Sequence, residues 1–364
     1  PARQVPNIPQ EVWLMKAATR IVLPHFKQAG KPFALLFWSR DPDMSQHGAT
    51  DSVGEYKPGI NGPSGLAGTR DADTALGELR AALKAQGLDG NTDIFVTADH
   101  GFLTVSHESK TSPSARLNSG APSGEIRNGF LATDLALTLG LPLHDPARNN
   151  APVDLAKGQH LSGGSALLGR DPANPNVVVA ANGGADLIYL KGDDAKNNAA
   201  AIVKFLSGQD YTGAIFVNDA LGKYPGALPM SAVNLIGSAR TPVPSIYVSF
   251  RSFDTGCGTP PQCAVGVHDT PLKTGQGSHG SLSRAETRNF MAAIGPDFKA
   301  GYADPAPISN ADIAPTMAHL AGITLPAKGK LTGRVIGEAL KGGKAAVVTR
   351  RTIASDPDGN GHAT

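Results

Sequence analysis

The sequence predicts an α/β protein built on a mostly parallel sheet, and three observations carry that prediction. Phe33–Trp38 (FALLFW) is an unbroken apolar run, the pattern of a strand covered on both faces. Asp93–Ala98 (DIFVTA) is a second short β-rich run ending in a glycine-containing turn. Between them Ala72, Ala75, Leu76, Leu79, Ala82 and Leu83 fall on one helical face, with Gly87 as the stop. Strand, helix and strand over 33–98 read as a parallel crossover.

Composition limits what such a chain can be. With 364 residues, 40% of them hydrophobic, it can bury a large core in one or two domains. The 33 basic and 31 acidic residues leave a net charge of +2, too little to attract a nucleic-acid duplex by charge alone. Only 18% of residues are charged, and 43 Gly with 28 Pro imply long ordered loops rather than a helical bundle. No apolar run approaches the roughly 20 residues of a membrane span, and the residues from Pro1 onward carry no signal-peptide pattern. Cys257 and Cys263 flank a short polar segment. A bond between them would close a small ring worth about 2 kcal/mol and would favour a periplasmic or secreted location; two free thiols are the alternative.

In chain order, Pro9–Gly30 reads as a helix with Pro9 in its first turn, Gly30 past its end and Pro24 as a kink. Residues 52–65 form a Gly- and Pro-rich loop, and 103–128 are polar and turn-rich. Phe130–Leu139 predicts a helix stopped by Gly140, and VVVAA and DLIYL, joined by Asn-Gly-Gly, predict a hairpin over 177–190. A helix over 193–206 and strands over 214–217 and 245–250 follow. Phe290–Ile294 predicts a further strand, Ser309 or Asn310 caps a helix through Leu320, Val335–Leu340 is a short helix, Ala345–Ile353 an edge strand, and 355–364 a loose tail.

The chemistry gathers where strands end, which is where α/β sheets place their ligands. Past the first apolar run come Asp43 and, four residues on, His47; past the second come Asp99 and His100; and His279 lies in the loop GQGSHGSLS. Any one of these is a common accident, but three such sites form an oxygen and nitrogen set suited to zinc or a similar divalent ion. His107, His144, His160 and His268 lack a partner spacing and are expected to be structural.

Asp43 with His47, TADHGF at Thr97–Phe102 and GSHGS at Gly277–Ser281 together resemble the alkaline phosphatase superfamily, in its branch of type I phosphodiesterases and nucleotide pyrophosphatases. The likeness covers most of 9–103 and 275–340, including SNADIAPTMAHLAGI at Ser309–Ile323 as a last core helix. It implies a three-layer α/β/α sandwich with core segments 1–103 and 275–354, and an inserted cap over 104–274. It also implies two divalent ions, most simply zinc. Asp43, His47 and His279 would hold one, and Asp99 with His100 part of the shell of the other.

The expected activity is hydrolysis of a phosphate monoester or diester, a nucleotide being one candidate substrate. The family's nucleophilic Ser or Thr and one more Asp ligand correspond to positions upstream of Pro1, so the nucleophile is expected outside this chain, in a preceding segment or a separate piece. None of Thr50, Ser52, Thr111 and Ser112 occupies its position. A non-catalytic metal- or carbohydrate-binding remnant remains open on this ground. A sulfatase is the weaker alternative, because CGTPP at Cys257–Pro261 is not its modifiable cysteine setting.

Overall fold

A computed structural model describes residues 5–117, 124–237, 241–259, 263–326, 329 and 331–364. The helices are α1 (Ile8–Ala17), α2 (Leu23–Ala29), α3 (Asp43–Gly48), α4 (Pro63–Ala85), α5 (Pro113–Arg116), α6 (Phe130–Leu139), α7 (Ala195–Ser207), α8 (Arg284–Thr287) and α9 (Ile313–Leu320). The strands are β1 (Ile94–Thr97), β2 (Leu103–Ser106), β3 (Leu143–Asp145), β4 (Ala151–Pro152), β5 (Ala166–Leu168), β6 (Val177–Ala181), β7 (Ala185–Leu190), β8 (Thr212–Val217), β9 (Leu228–Pro229), β10 (Ile246–Phe250), β11 (Ser252–Asp254), β12 (Ala264–Val267), β13 (Gly277–Ser278) and β14 (Met291–Ile294). The class is mixed α/β. The chain divides into a first unit of Pro1–Asp51, Asn61–Gly101 and Arg288–Arg351, and a second of Ser52–Ile60, Phe102–Thr287 and Thr352–Thr364.

In the first unit, Asn7 caps α1 by accepting from the Gln10 N–H. A π-helical stretch, Ala18–Val22, links α1 to α2, directly before Pro24. Proline has no N–H to give the helical ladder, and a wider turn accommodates that loss. Gly30 then ends α2 at φ +64°, a left-handed conformation that glycine adopts without strain. Beneath these helices Met15, Ala18 and Ala75 form a small buried cluster, joined by Phe37 and Leu79. β1 pairs antiparallel with β14, Ile94 opposite Ile294 and Thr97 opposite Met291. Phe95 meets Phe298 edge-on, with ring centroids 5.3 Å apart.

Four sequence expectations change here. Phe33–Trp38 is not a strand: Phe33, Leu35 and Phe37 turn partly inward, whereas Leu36 is 91% and Trp38 78% exposed. A run becomes a strand only when a neighbouring backbone takes up its N–H and C=O groups, and among the described residues none pairs with this one. The crossover over 33–98 is therefore absent. Val335–Leu340 likewise shrinks to a 3₁₀ turn at Gly337–Ala339, and Ala345–Ile353 joins no described ladder.

The second unit carries an eight-stranded sheet, β4-β3-β5-β6-β7-β10-β8-β9, and a four-stranded one, β11-β12-β2-β13. The expected parallel order is not what the ladders show: only β8–β9 and β12–β2 run parallel, because most successive strands here are joined by hairpins rather than by helical crossovers. α6 and α7 bury Phe130, Leu131, Leu135, Ile202 and Leu206 against Ile188, Ile215 and Val248 of the large sheet. Phe130 stands 4.9 Å from Tyr211 and 5.1 Å from Phe250, centroid to centroid. Gly140 stops α6 and the Asn182–Gly184 turn joins β6 to β7, both as the sequence predicts. Cys257 and Cys263 are disulfide-bonded. The last ten residues are not loose: Ser207 donates to Asp358 (2.6 Å) and Thr364 to the Gly226 carbonyl (2.8 Å).

Candidate metal centre

Four of the five predicted ligands converge within the first unit. α3 begins at Asp43, so His47 lies one turn on, on the same helix face. Asp99 and His100 follow β1 in a turn. His47 Nε2 lies 3.5 Å and His100 Nε2 3.8 Å from the same Asp43 Oδ1, and His100 Nε2 is 3.7 Å from Asp99 Oδ1. These separations are longer than hydrogen bonds. They approach those of donor atoms sharing an ion, since two ligands at about 2.0–2.1 Å from a tetrahedral zinc stand roughly 3.4 Å apart.

The tautomer of His100 strengthens this fit. Its Nδ1 is 3.0 Å from the Gly101 carbonyl, an acceptor, so Nδ1 carries a proton, and when the ring is neutral Nε2 presents a lone pair. That lone pair faces two carboxylates. Only a proton on Nε2 or a cation among these groups relieves the repulsion, and a ligand histidine bonded to a backbone carbonyl through its other nitrogen is the usual way of aiming an imidazole at a metal. The residues present therefore fit a divalent ion.

Neighbouring side chains hold the two ligand segments in place. Asp41, almost fully buried, accepts from Ser45 Oγ (2.6 Å) and from the Asn7 N–H (3.1 Å), fixing the entry to α3. Gly68 lets α4 approach, since a Cβ there would stand 2.8 Å from Ser45 Oγ and 3.2 Å from Pro42 Cα. On the other side, Asn310 donates to the carbonyls of Ala98 (2.8 Å) and Asp99 (3.3 Å) and accepts from Thr97 Oγ1 (2.8 Å), while Asn289 also donates to Ala98. Ser309 takes the helix-capping role through a capping box with Asp312, which frees Asn310 for the Asp99 turn. Sequence reading missed this role because the partners are more than 200 residues apart; Asn310 was legible there only as a cap.

Residues 9–128 match the family model described as type I phosphodiesterase / nucleotide pyrophosphatase. Over this span the chain is similar to that family. The matched span contains Asp43, His47, Asp99 and His100. No curated protein matches the chain. Two structures of murine ectonucleotide pyrophosphatase / phosphodiesterase 5, one of them an inactive variant in complex with AMP, are similar at a TM-score of 0.47 and 16% identity. The similarity covers 90% of this chain and 62% of theirs, so the chain spans less than two thirds of those proteins.

The fifth predicted ligand, His279, lies in the second unit, just after β13, with its ring 5.3 Å from that of Phe102. Three other histidines have structural surroundings. His144 lies between the Asn150 carbonyl (Nδ1, 3.3 Å) and the Gly169 carbonyl (Nε2, 3.0 Å). His268 Nδ1 is 2.8 Å from the Gly266 carbonyl, and burial pushes His107 down to about 4. The second unit also holds a set of buried acids. Burial raises Asp134 to about 6 and Asp269 to about 7, and it raises Asp186, whose carboxyl meets that of Asp269, well above the usual range.

Proposed function

We propose that this chain carries the metal-binding part of a phosphate-ester hydrolase of the phosphodiesterase and nucleotide pyrophosphatase type. One observation supports this most: Asp43 Oδ1 faces the Nε2 atoms of both His47 and His100 at 3.5 and 3.8 Å, in a segment matched by the family model. Following the sequence resemblance, Asp43, His47 and His279 are assigned to one ion and Asp99 with His100 to a second. Zinc is the metal the donor set favours. Ions so held would neutralise charge on the phosphoryl oxygens and favour the ionised form of an attacking oxygen.

The chain's own residues supply the rest of the framework. α3 presents Asp43 and His47 from one face, the Gly101 carbonyl keeps the His100 lone pair on Nε2, and Asn310 and Asn289 hold the Asp99 turn open to solvent. Substrate would approach with its charged phosphorus at these groups. The disulfide favours an extracellular or periplasmic setting. No described helix is long and apolar enough to cross a membrane. No hydroxyl of this chain is assigned as the nucleophile.

Hydrolysis of bis(p-nitrophenyl) phosphate and p-nitrophenyl phosphate, measured with added zinc on the full-length protein, tests the reading. A preference for the diester is expected, and Asp43→Ala or His100→Ala should lower the rate by roughly 100-fold or more. Unchanged rates in both variants, with normal folding, would overturn it.

A further inference from the structure

The loop that carries His279 is braced at nearly every backbone group, and the braces converge on one carboxylate. The Gly280 and Ser281 N–H groups both donate to Glu286 Oε2 (2.5 and 2.6 Å), and Ser281 Oγ donates to Glu286 Oε1 (2.5 Å). The Ser283 N–H donates to Ser281 Oγ, and Ser283 Oγ in turn accepts from the Glu286 N–H. From β10, Tyr247 Oη donates to the Gly280 carbonyl (3.1 Å), and Ser249 Oγ accepts the Leu282 N–H (3.0 Å). The His279 carbonyl accepts from the Gly184 N–H (3.1 Å).

Glycine makes this packing possible on both sides. A Cβ at Gly183 would stand 2.7 Å from the His279 carbonyl oxygen, and one at Gly280, where φ is +112°, would stand 2.2 Å from the Asn182 oxygen. The Asn-Gly-Gly turn of the β6–β7 hairpin is thus also the floor under this loop. Glu286, Ser281, Ser283, Ser249 and Tyr247 are all buried. Burying a carboxylate and four hydroxyl groups to fix one short loop is costly unless the loop must stand in one conformation. The side chain it presents is an imidazole.

We propose that Glu286, assisted by Tyr247, is the positioning residue for His279: it sets the backbone from which the imidazole reaches its metal. This rests on the reading of His279 as a ligand given above. Glu286 touches no substrate. Its carboxylate orders three donors of the loop, as groups behind a metal ligand commonly do, and loss of such a group typically weakens metal affinity 10- to 100-fold.

Cobalt(II) titration of the metal-free full-length protein, followed by the visible absorption of the bound ion, reads this without reference to turnover. Four variants are compared, with circular dichroism as the folding control. His279→Ala should weaken cobalt binding and change the spectrum. Glu286→Ala should weaken it roughly 10- to 100-fold. Glu286→Gln should recover most of that loss, because its carbonyl can still take the two N–H groups while its amide faces Ser281 Oγ. Tyr247→Phe, which removes a single donor, should weaken binding several-fold and keeps the test available should Glu286→Ala fail to fold. If His279→Ala matches the parent, His279 is no ligand and both readings fail. If His279→Ala is impaired while folded Glu286→Ala or Tyr247→Phe keeps the parent's affinity and spectrum, the ligand stands and the positioning role is wrong.

Discussion

The two units of this chain solve opposite problems. The second has a deep apolar core under an eight-stranded sheet, with α6 and α7 sealed against it. Among its described residues the first has a small buried cluster of Met15, Ala18 and Ala75, a two-stranded ladder, and Leu36 and Trp38 turned to solvent. Yet four of the five predicted ligands lie in the first. Local devices hold them there: an i,i+4 helix spacing, a tight turn, and clamps from Asp41, Asn289 and Asn310. The geometry of this Asp/His cluster depends on short polar ties rather than on core depth.

Truncating the deep core should sharpen this contrast most. Phe130→Ala removes a ring packed on Tyr211 and Phe250 and should cost about 3–5 kcal/mol in denaturant unfolding, while leaving cobalt binding by the first unit's ligands intact if the units respond separately. Loss of that binding along with the core would break the comparison.

A slightly smaller effect should come from pH. Asp269 is raised to about 7 and Asp134 to about 6 by burial, so the native second unit holds protons that the unfolded chain releases near pH 4. The resulting stabilisation is complete below about pH 4 and is lost as pH rises through 6 and 7. The second unit should therefore melt lower at pH 8 than at pH 5, by a difference on the order of 3 kcal/mol, and Asp269→Asn should flatten the profile. A second unit more stable at pH 8 than at pH 5 would contradict the burial argument.

Replacing Cys257 and Cys263 by serine should cost about 2 kcal/mol in unfolding and nothing in metal affinity, since the ring closes only a short loop. Smallest of all, Leu36→Ala should change stability by less than about 0.5 kcal/mol, because the side chain is already in water. A large loss there would show that this face is covered in solution.

What the sequence made legible, and what it hid, follows from the range of the interactions. α6 with its Gly140 stop, the β6–β7 hairpin, the Ser309 cap and the disulfide all depend on residues close together in the chain, and each stands as expected. Asp43 and His47 were readable for the same reason. Phe33–Trp38 was misread because an apolar run states that it wants cover, not that a neighbouring backbone will pair with it. Strand direction was misread because hairpins and crossovers differ in connection rather than in strand composition. Asn310 and Glu286 stayed hidden because a side chain's amide or carboxylate does not announce which distant backbone it will hold.

The central claim is that Asp43 and His100 both belong to a metal centre, each holding a divalent ion together with its neighbours. Isothermal titration of zinc into the metal-free protein, the parent against Asp43→Ala and His100→Ala, tests it most directly. The account predicts tight binding by the parent and a loss of roughly 100-fold or more in each variant. Equal zinc affinity in all three folded proteins would contradict it.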